Sequence, residues 1–194
     1  PRLVAAALAL DALCFLALTR EVSFGAFLAV RFAEGCAHIV NAYEVAIDGW
    51  LHGLAADNPT FEAIDRGAPG DLVWYVRLRG EEKEHITIWF TLAQRHLHYE
   101  VYVLPAPAEN RVLVYESALR RNARLVGAHF AIGVEDALFL RGELALGLLA
   151  EDELDRIVGS LYAYTEEAFP TLVRLAFASK IDAGPDAGPD AGPV

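Results

Sequence analysis

Two imidazoles and a carboxylate alternate along one short stretch, His96-x-His98-x-Glu100, and His85 stands one strand-length earlier. Zinc accepts nitrogen and oxygen ligands of this kind, so His85, His96, His98 and Glu100 are the candidate ligands should a metal bind. Histidines held in a pair also suit a pH sensor. Extended chain, however, sets alternate side chains about 6.5–7 Å apart, which does not by itself close a coordination sphere. The reading therefore assigns no metal and no cofactor.

A second group is basic. Arg120, Arg121 and Arg124, with Arg111 one helix-length before them, would form a patch for an acidic partner segment, or else cap a helix end and pair with local acids. Enzyme signatures are missing from the chain. No glycine-rich phosphate loop precedes a helix, and Gly159-Ser160 lacks the setting of a nucleophile elbow. Lysine chemistry has two candidates, Lys83 and Lys180, against 14 arginines. Neither cysteine, Cys14 or Cys36, falls in the patterned part of the chain, so no disulfide framework is implied. The expectation is a protein that is not an enzyme.

The elements that must position these residues follow from periodicity. Ile39, Tyr43, Ala46, Ile47, Trp50 and Leu54 recur at helical spacing, and Asn58-Pro59 stops that helix. Residues 61–65 and 72–79 flank Gly67-Ala68-Pro69-Gly70, a strong turn signal. Residues 84–92 and 96–104 alternate as strands do. Residues 109–122 read as a helix with Val112, Tyr115, Ala118 and Leu119 inward and Asn122 as a left-handed cap. Residues 128–134 and 137–143 form a second hairpin. The last helix opens on Glu151-Asp152-Glu153 and carries an apolar stripe from Leu154 to Leu172, with a kink or break predicted at Pro170. Short connections between neighbours predict an α+β fold with a mainly antiparallel sheet and helices on one face.

Alternation then sorts the middle hairpin. Ile86, Ile88, Phe90 and Leu92 share a face with Leu97, Tyr99, Val101 and Val103. The other face carries Trp89 opposite His98 and Thr87 opposite Glu100, with Tyr102 on the same side. The preceding strand adds Tyr75 and Arg77 to it. With the apolar face taken by helices, Tyr75, Arg77, Trp89, His98 and Tyr102 are left as candidate protein-binding residues, together with Arg120, Arg121 and Arg124. Aromatics and arginine anchor interfaces, and aromatics are also simply good strand formers.

Composition bounds the classes. With 55% hydrophobic and 22% charged residues the chain can bury a core. A net charge of −11 disfavours nucleic acid as a partner. Three zones separate: an apolar leader over residues 1–38, a periodic module over 39–180, and a tail over 181–194 with three copies of Asp-Ala-Gly-Pro. The tail reads as a disordered tether. The leader's apolar run, residues 3–18, is short for a bilayer and is interrupted by Asp11, at a cost of about 2.5–3.5 kcal/mol at a membrane centre. It reads as an extension or a packed helix, with export or anchoring as the alternative. The chain contains no methionine, so Pro1 is not read as a translation start.

Residues 87–103 (TIWFTLAQRHLHYEVYV), 119–132 (LRRNARLVGAHFAI) and 139–161 (FLRGELALGLLAEDELDRIVGSL) resemble the YbjN family of bacterial sensory transduction regulators. The resemblance spans roughly residues 39–178. It implies a fold like that of type III secretion chaperones, small α+β proteins that bind partner segments, commonly as dimers. No catalytic residues are known for the family, so none carries over. The reading is a cytoplasmic, non-enzymatic, chaperone-like or regulatory module that forms a homodimer and engages a protein segment. Its alternatives are a metal-dependent enzyme or metal or pH sensor on the histidine-rich face, and a regulator tethered to a membrane through residues 1–33.

Overall fold

A computed structural model describes residues 24–182, with side chains placed from Asn41 onward. The apolar run at residues 3–18 with Cys14, the side chain of Cys36, and the repeats beyond Asp182 lie outside what is described.

The first helix, α1 (Phe24–Asp57), begins 15 residues before the predicted start. Residues 24–38 are rich in alanine and phenylalanine and hold no proline, so no proline ends a helix there. The described residues from Tyr43 to Asp182 belong to one compact unit. Within it Ile47 and Leu51 of α1 are fully enclosed, while Tyr43, Ala46, Trp50 and Leu54 are half-buried. No helix among the described residues is long and apolar enough to cross a membrane.

Six strands follow, interrupted by one helix: β1 (Phe61–Arg66), β2 (Val73–Arg79), β3 (His85–Leu92), β4 (His96–Leu104), α2 (Arg111–Arg121), β5 (His129–Ile132) and β6 (Leu138–Ala145). They make one sheet in the order β1-β2-β3-β4-β6-β5, with every neighbouring pair antiparallel. The β1–β2 turn uses Gly70 at φ 95°, a left-handed conformation that costs glycine nothing. The chain leaves β4 at Leu104, crosses through α2, and returns so that β6 rather than β5 lies against β4.

The long helix α3 (Glu151–Ala176) packs on β3 and β4, and α2 packs on α3 and β5. A short α4 (Ala178–Asp182) ends the described chain. Acids at Glu151, Asp152 and Glu153 suit the start of α3. Its buried stripe runs Leu154, Ile157, Val158, Leu161, Thr165, Ala168, Leu172 and Ala176. That stripe continues past Pro170, and so does the helix, where a kink or break was predicted. Proline removes only the bond to the Glu166 carbonyl, and burial of Leu172 and Ala176 holds the next turn in place. The helices and the apolar sheet face enclose Trp74, Val76, Ile86, Ile88, Phe90, Leu97 and Val101 with no exposure at all. The expected α+β architecture, antiparallel with helices on one face, is the one observed.

Two expectations for α2 are corrected. Val112 and Leu119 point outward, 77% and 58% exposed, and the inward pair is Val114 and Ala118. Asn122 is right-handed at φ −54°, not a left-handed cap. Its side chain is needed elsewhere: Asn122 Oδ1 accepts the Phe130 N–H at 2.7 Å and Nδ2 donates to the Phe130 carbonyl at 3.2 Å. The amide thus occupies both backbone groups of a residue inside the outermost strand.

Candidate functional site

The face of the sheet away from the helices is built by alternation. Cross-strand pairing lines up Asp65, Tyr75, Trp89, Glu100, Arg141 and His129 in one row across all six strands. A second row holds Val73, Thr91, His98 and Glu143. The expected partners differ by two residues: Trp89 faces Glu100 rather than His98, and Thr91 faces His98. The loop between β3 and β4 closes with Leu92 opposite Leu97, which fixes this alignment. A two-residue shift keeps every side chain on its expected face.

Side chains on this face engage one another. Tyr75 and Trp89 meet edge to face at 5.9 Å between ring centroids, and Tyr102 and Phe139 do so at 5.5 Å. The Arg141 guanidinium lies 4.7 Å over Phe139 and 2.7 Å from the Glu100 carboxylate. His98 Nδ1 is 3.5 Å from Glu143. Phe139 is nearly enclosed by these neighbours, whereas Trp89 and Tyr102 each remain 38% exposed. Partial desolvation pushes the Tyr102 hydroxyl up, with Glu135 adding to it. Trp89, Thr91, His98, Glu100, His129, Arg141 and Glu143 line a shallow cleft of about 760 Å³. Arg77 is exposed between Ala63 and Thr87.

Tyr75, Arg77, Trp89, His98 and Tyr102 therefore share one face, as expected. Phe139, Arg141, Glu143 and His129 belong to the same face and were not foreseen. The alternation of Phe139, Arg141 and Glu143 was readable, but placing them here needs β6 beside β4.

The candidate metal ligands are not gathered. His96 and His98 are neighbours, with ring centroids 6.1 Å apart, and Glu100 is committed to Arg141. His85 sits at the other end of the β3–β4 hairpin, opposite Arg79 and 3.0 Å from Glu62. Arg79 also binds Glu62, through Nε at 2.9 Å. Arg79 holds the Glu62 carboxyl below the usual carboxylate range, and His85 adds to this. Among the described residues no three His, Cys, Asp or Glu side chains are grouped to hold an ion.

The arginines are likewise divided. Arg120 pairs with Glu116 on its own helix at 2.9 Å, and Arg111 pairs with Asp136. Arg121 and Arg124 turn instead to Glu167 on α3, at 3.3 and 3.8 Å. The basic patch expected from Arg120, Arg121 and Arg124 is thus two separate groups, each facing its own acid.

Sheet, helices and face together define an α+β module whose single sheet, among the described residues, is sealed by helices on one side and open on the other. Residues 47–174 match the YbjN family, described as "Putative bacterial sensory transduction regulator". The chain belongs to this family. It is 35% identical over 115 residues to an uncharacterised protein of Mycobacterium bovis and to one of Mycobacterium tuberculosis, covering 59% of this chain and 62% of theirs. The chain thus spans less than two thirds of those relatives. An uncharacterised protein of Mycobacterium leprae is 30% identical over 130 residues, covering 67% of this chain and 71% of its own.

Among solved structures, the chain is similar to the Yersinia pestis type III secretion chaperone SycH, solved with a stable fragment of YscM2. The TM-score is 0.42 at 15% identity, over 63% of this chain and 96% of that one. It is also similar to a chain of the Pseudomonas aeruginosa ExoU–SpcU complex, with a TM-score of 0.40 at 19% identity, over 64% and 95%.

Proposed function

We propose that this chain is a non-enzymatic protein-binding module that engages a segment of a partner protein on the open face of its sheet. One observation carries the reading. Trp89 and Tyr102 stay well exposed although each is locked edge to face against another ring. Such pairs hold the rings in place, and rigid, half-exposed aromatics bordering an arginine and a cleft are the side chains that anchor interfaces. A regulator, as the family is described, acts through contact of this kind. The reading places the module in the cytoplasm, with a protein and not nucleic acid as its partner, in keeping with a charge of −11.

The test compares the wild-type chain with Trp89→Ala and Tyr102→Ala as bait in quantitative affinity capture, with sedimentation alongside. A partner retained by the wild type and lost by both variants, with both still cooperatively folded and melting no more than about 6 °C lower, supports the reading. If sedimentation shows a dimer that either substitution dissociates, the face belongs to a second copy of the chain. If both variants keep every wild-type association, the face is only a solvated surface.

A further inference from the structure

On the other side of the sheet, where α2 runs out against α3, the guanidinium of Arg121 is poorly compensated. Its side chain is 17% exposed, and its Nε is buried with no hydrogen-bond partner among the described residues. The nearest anion is Glu167, which it shares with Arg124 at 3.3 and 3.8 Å. These distances are long for a guanidinium–carboxylate bond, which closes to about 2.7–2.9 Å when well made. Glu167 is itself 65% exposed, so little holds it there. A buried donor left over in a folded protein calls for an explanation.

The surroundings supply one. Arg121, Arg124, Tyr164 and Glu167 border a pocket of about 100 Å³ walled by Leu125 and Phe130. The Tyr164 hydroxyl accepts the Val126 N–H at 3.3 Å, leaving its proton free to donate. The pocket is roomy enough for a few waters or for one compact group the size of a tetrahedral oxyanion. We propose that Arg121, Arg124 and Tyr164 form a binding site for a small oxyanion of the phosphate class, with Glu167 as its displaceable internal occupant. Charge selects the class. Two guanidiniums balance the roughly −1.5 to −2 of a phosphate group at pH 7 once Glu167 swings outward, whereas a lone carboxylate merely repeats what Glu167 already offers. Leu125 and Phe130 border one side of the site, and solvent reaches the other, where an incoming anion would enter.

The experiment is a titration of the full, ¹⁵N-labelled chain, observing the arginine Nε–H signals, at constant ionic strength. Inorganic phosphate, O-phosphoserine and chloride are the three additives. The Arg121 signal should move saturably with phosphate and not with chloride. Arg124→Ala should weaken the response by about tenfold or more, as expected for loss of one charge-assisted contact. Glu167→Gln should tighten it several-fold, because the competitor is gone. Arg174→Ala removes the same charge from an exposed position on α3 and should change nothing. Tighter binding of O-phosphoserine than of phosphate assigns the natural group to a phosphate ester, and equal binding assigns it to free phosphate. A non-saturating shift common to chloride, or a response that Arg124→Ala leaves intact, overturns the site. An unchanged affinity in Glu167→Gln removes Glu167 from it.

Discussion

Trp74 and Tyr75 are consecutive residues of β2, and they live in different worlds. Trp74 has no exposed surface. Its Nε1–H donates to Asp48 at 3.1 Å, and the Arg66 guanidinium covers its ring at 4.3 Å. Tyr75 meets Trp89 on the other side of the sheet, away from the helices that pack on its inner face among the described residues. The same holds one strand over, where Ile88 and Phe90 are sealed on either side of the exposed Trp89. Large apolar groups on the inner face are held by enclosure, each contributing about 1.5–3 kcal/mol by burial. On the outer face Trp89 and Tyr102 stay 38% exposed, and each edge-to-face ring pair adds about 0.5–1.5 kcal/mol. A protein that needed the outer rings for stability alone would gain little from them, which is why they are read as contact groups.

The sharpest way to break this contrast is in the core. Trp74→Ala should lower unfolding free energy by about 3–5 kcal/mol in a denaturant titration, and Ile88→Ala by about 2–5. A loss under 1 kcal/mol at either position would mean the inner face is not the sealed one. Gly142→Ala probes the same side by overfilling. Gly142 pairs with Tyr99, and an added Cβ would collide with the Tyr99 ring and with the Gly127 carbonyl, to which the Tyr99 hydroxyl donates at 2.7 Å. A destabilisation of about 1–3 kcal/mol is expected, with the Tyr99 ring displaced in NMR spectra.

On the outer face, Trp89→Ala and Tyr102→Ala should each cost under about 1.5 kcal/mol of stability while weakening association by about 1–3 kcal/mol. If Trp89→Ala unfolded the chain, the two faces would be equivalent and the binding reading would fall. The smallest effect belongs to the Glu62–Arg79–His85 cluster. Glu62 titrates lower in the folded chain than in the unfolded one, chiefly because Arg79 donates to it. Its contribution is therefore present above the ordinary carboxylate range and is lost as pH falls through the depressed folded-state value. Melting curves of wild type and Glu62→Gln should differ at pH 7 and converge on acidification. A gap that stayed constant would show that the cluster does not titrate as described.

Much of this contrast was legible in the chain. Period-two alternation assigned residues 74–79, 85–92 and 96–103 to their correct faces, because a strand has only two sides, and it lapses at Leu104, which an irregularity opposite β6 turns inward. The same rule cannot see an even shift, so Trp89 was set against His98 when the loop geometry sets it against Glu100. In α2 two sets at helical spacing compete, Val114 with Ala118 and Val112 with Tyr115 and Leu119, and periodicity alone does not choose between them. The contributions of Phe139 and Arg141 depend on a crossover that no local pattern announces. Arg120 and Arg121 are adjacent in sequence and point to different acids, since consecutive helical positions lie about 100° apart.

The amide of Asn122 bears on the life of the protein at high concentration. An unguarded terminal strand is a template onto which another chain can add, residue by residue, and so seed a polymer. β5 has only four residues, and Asn122 already occupies the donor and acceptor of Phe130 among them. An incoming strand would find its run of partners interrupted near the middle, with too few on either side to nucleate growth. One short polar side chain thereby acts as a stopper against runaway self-assembly at that margin of the sheet.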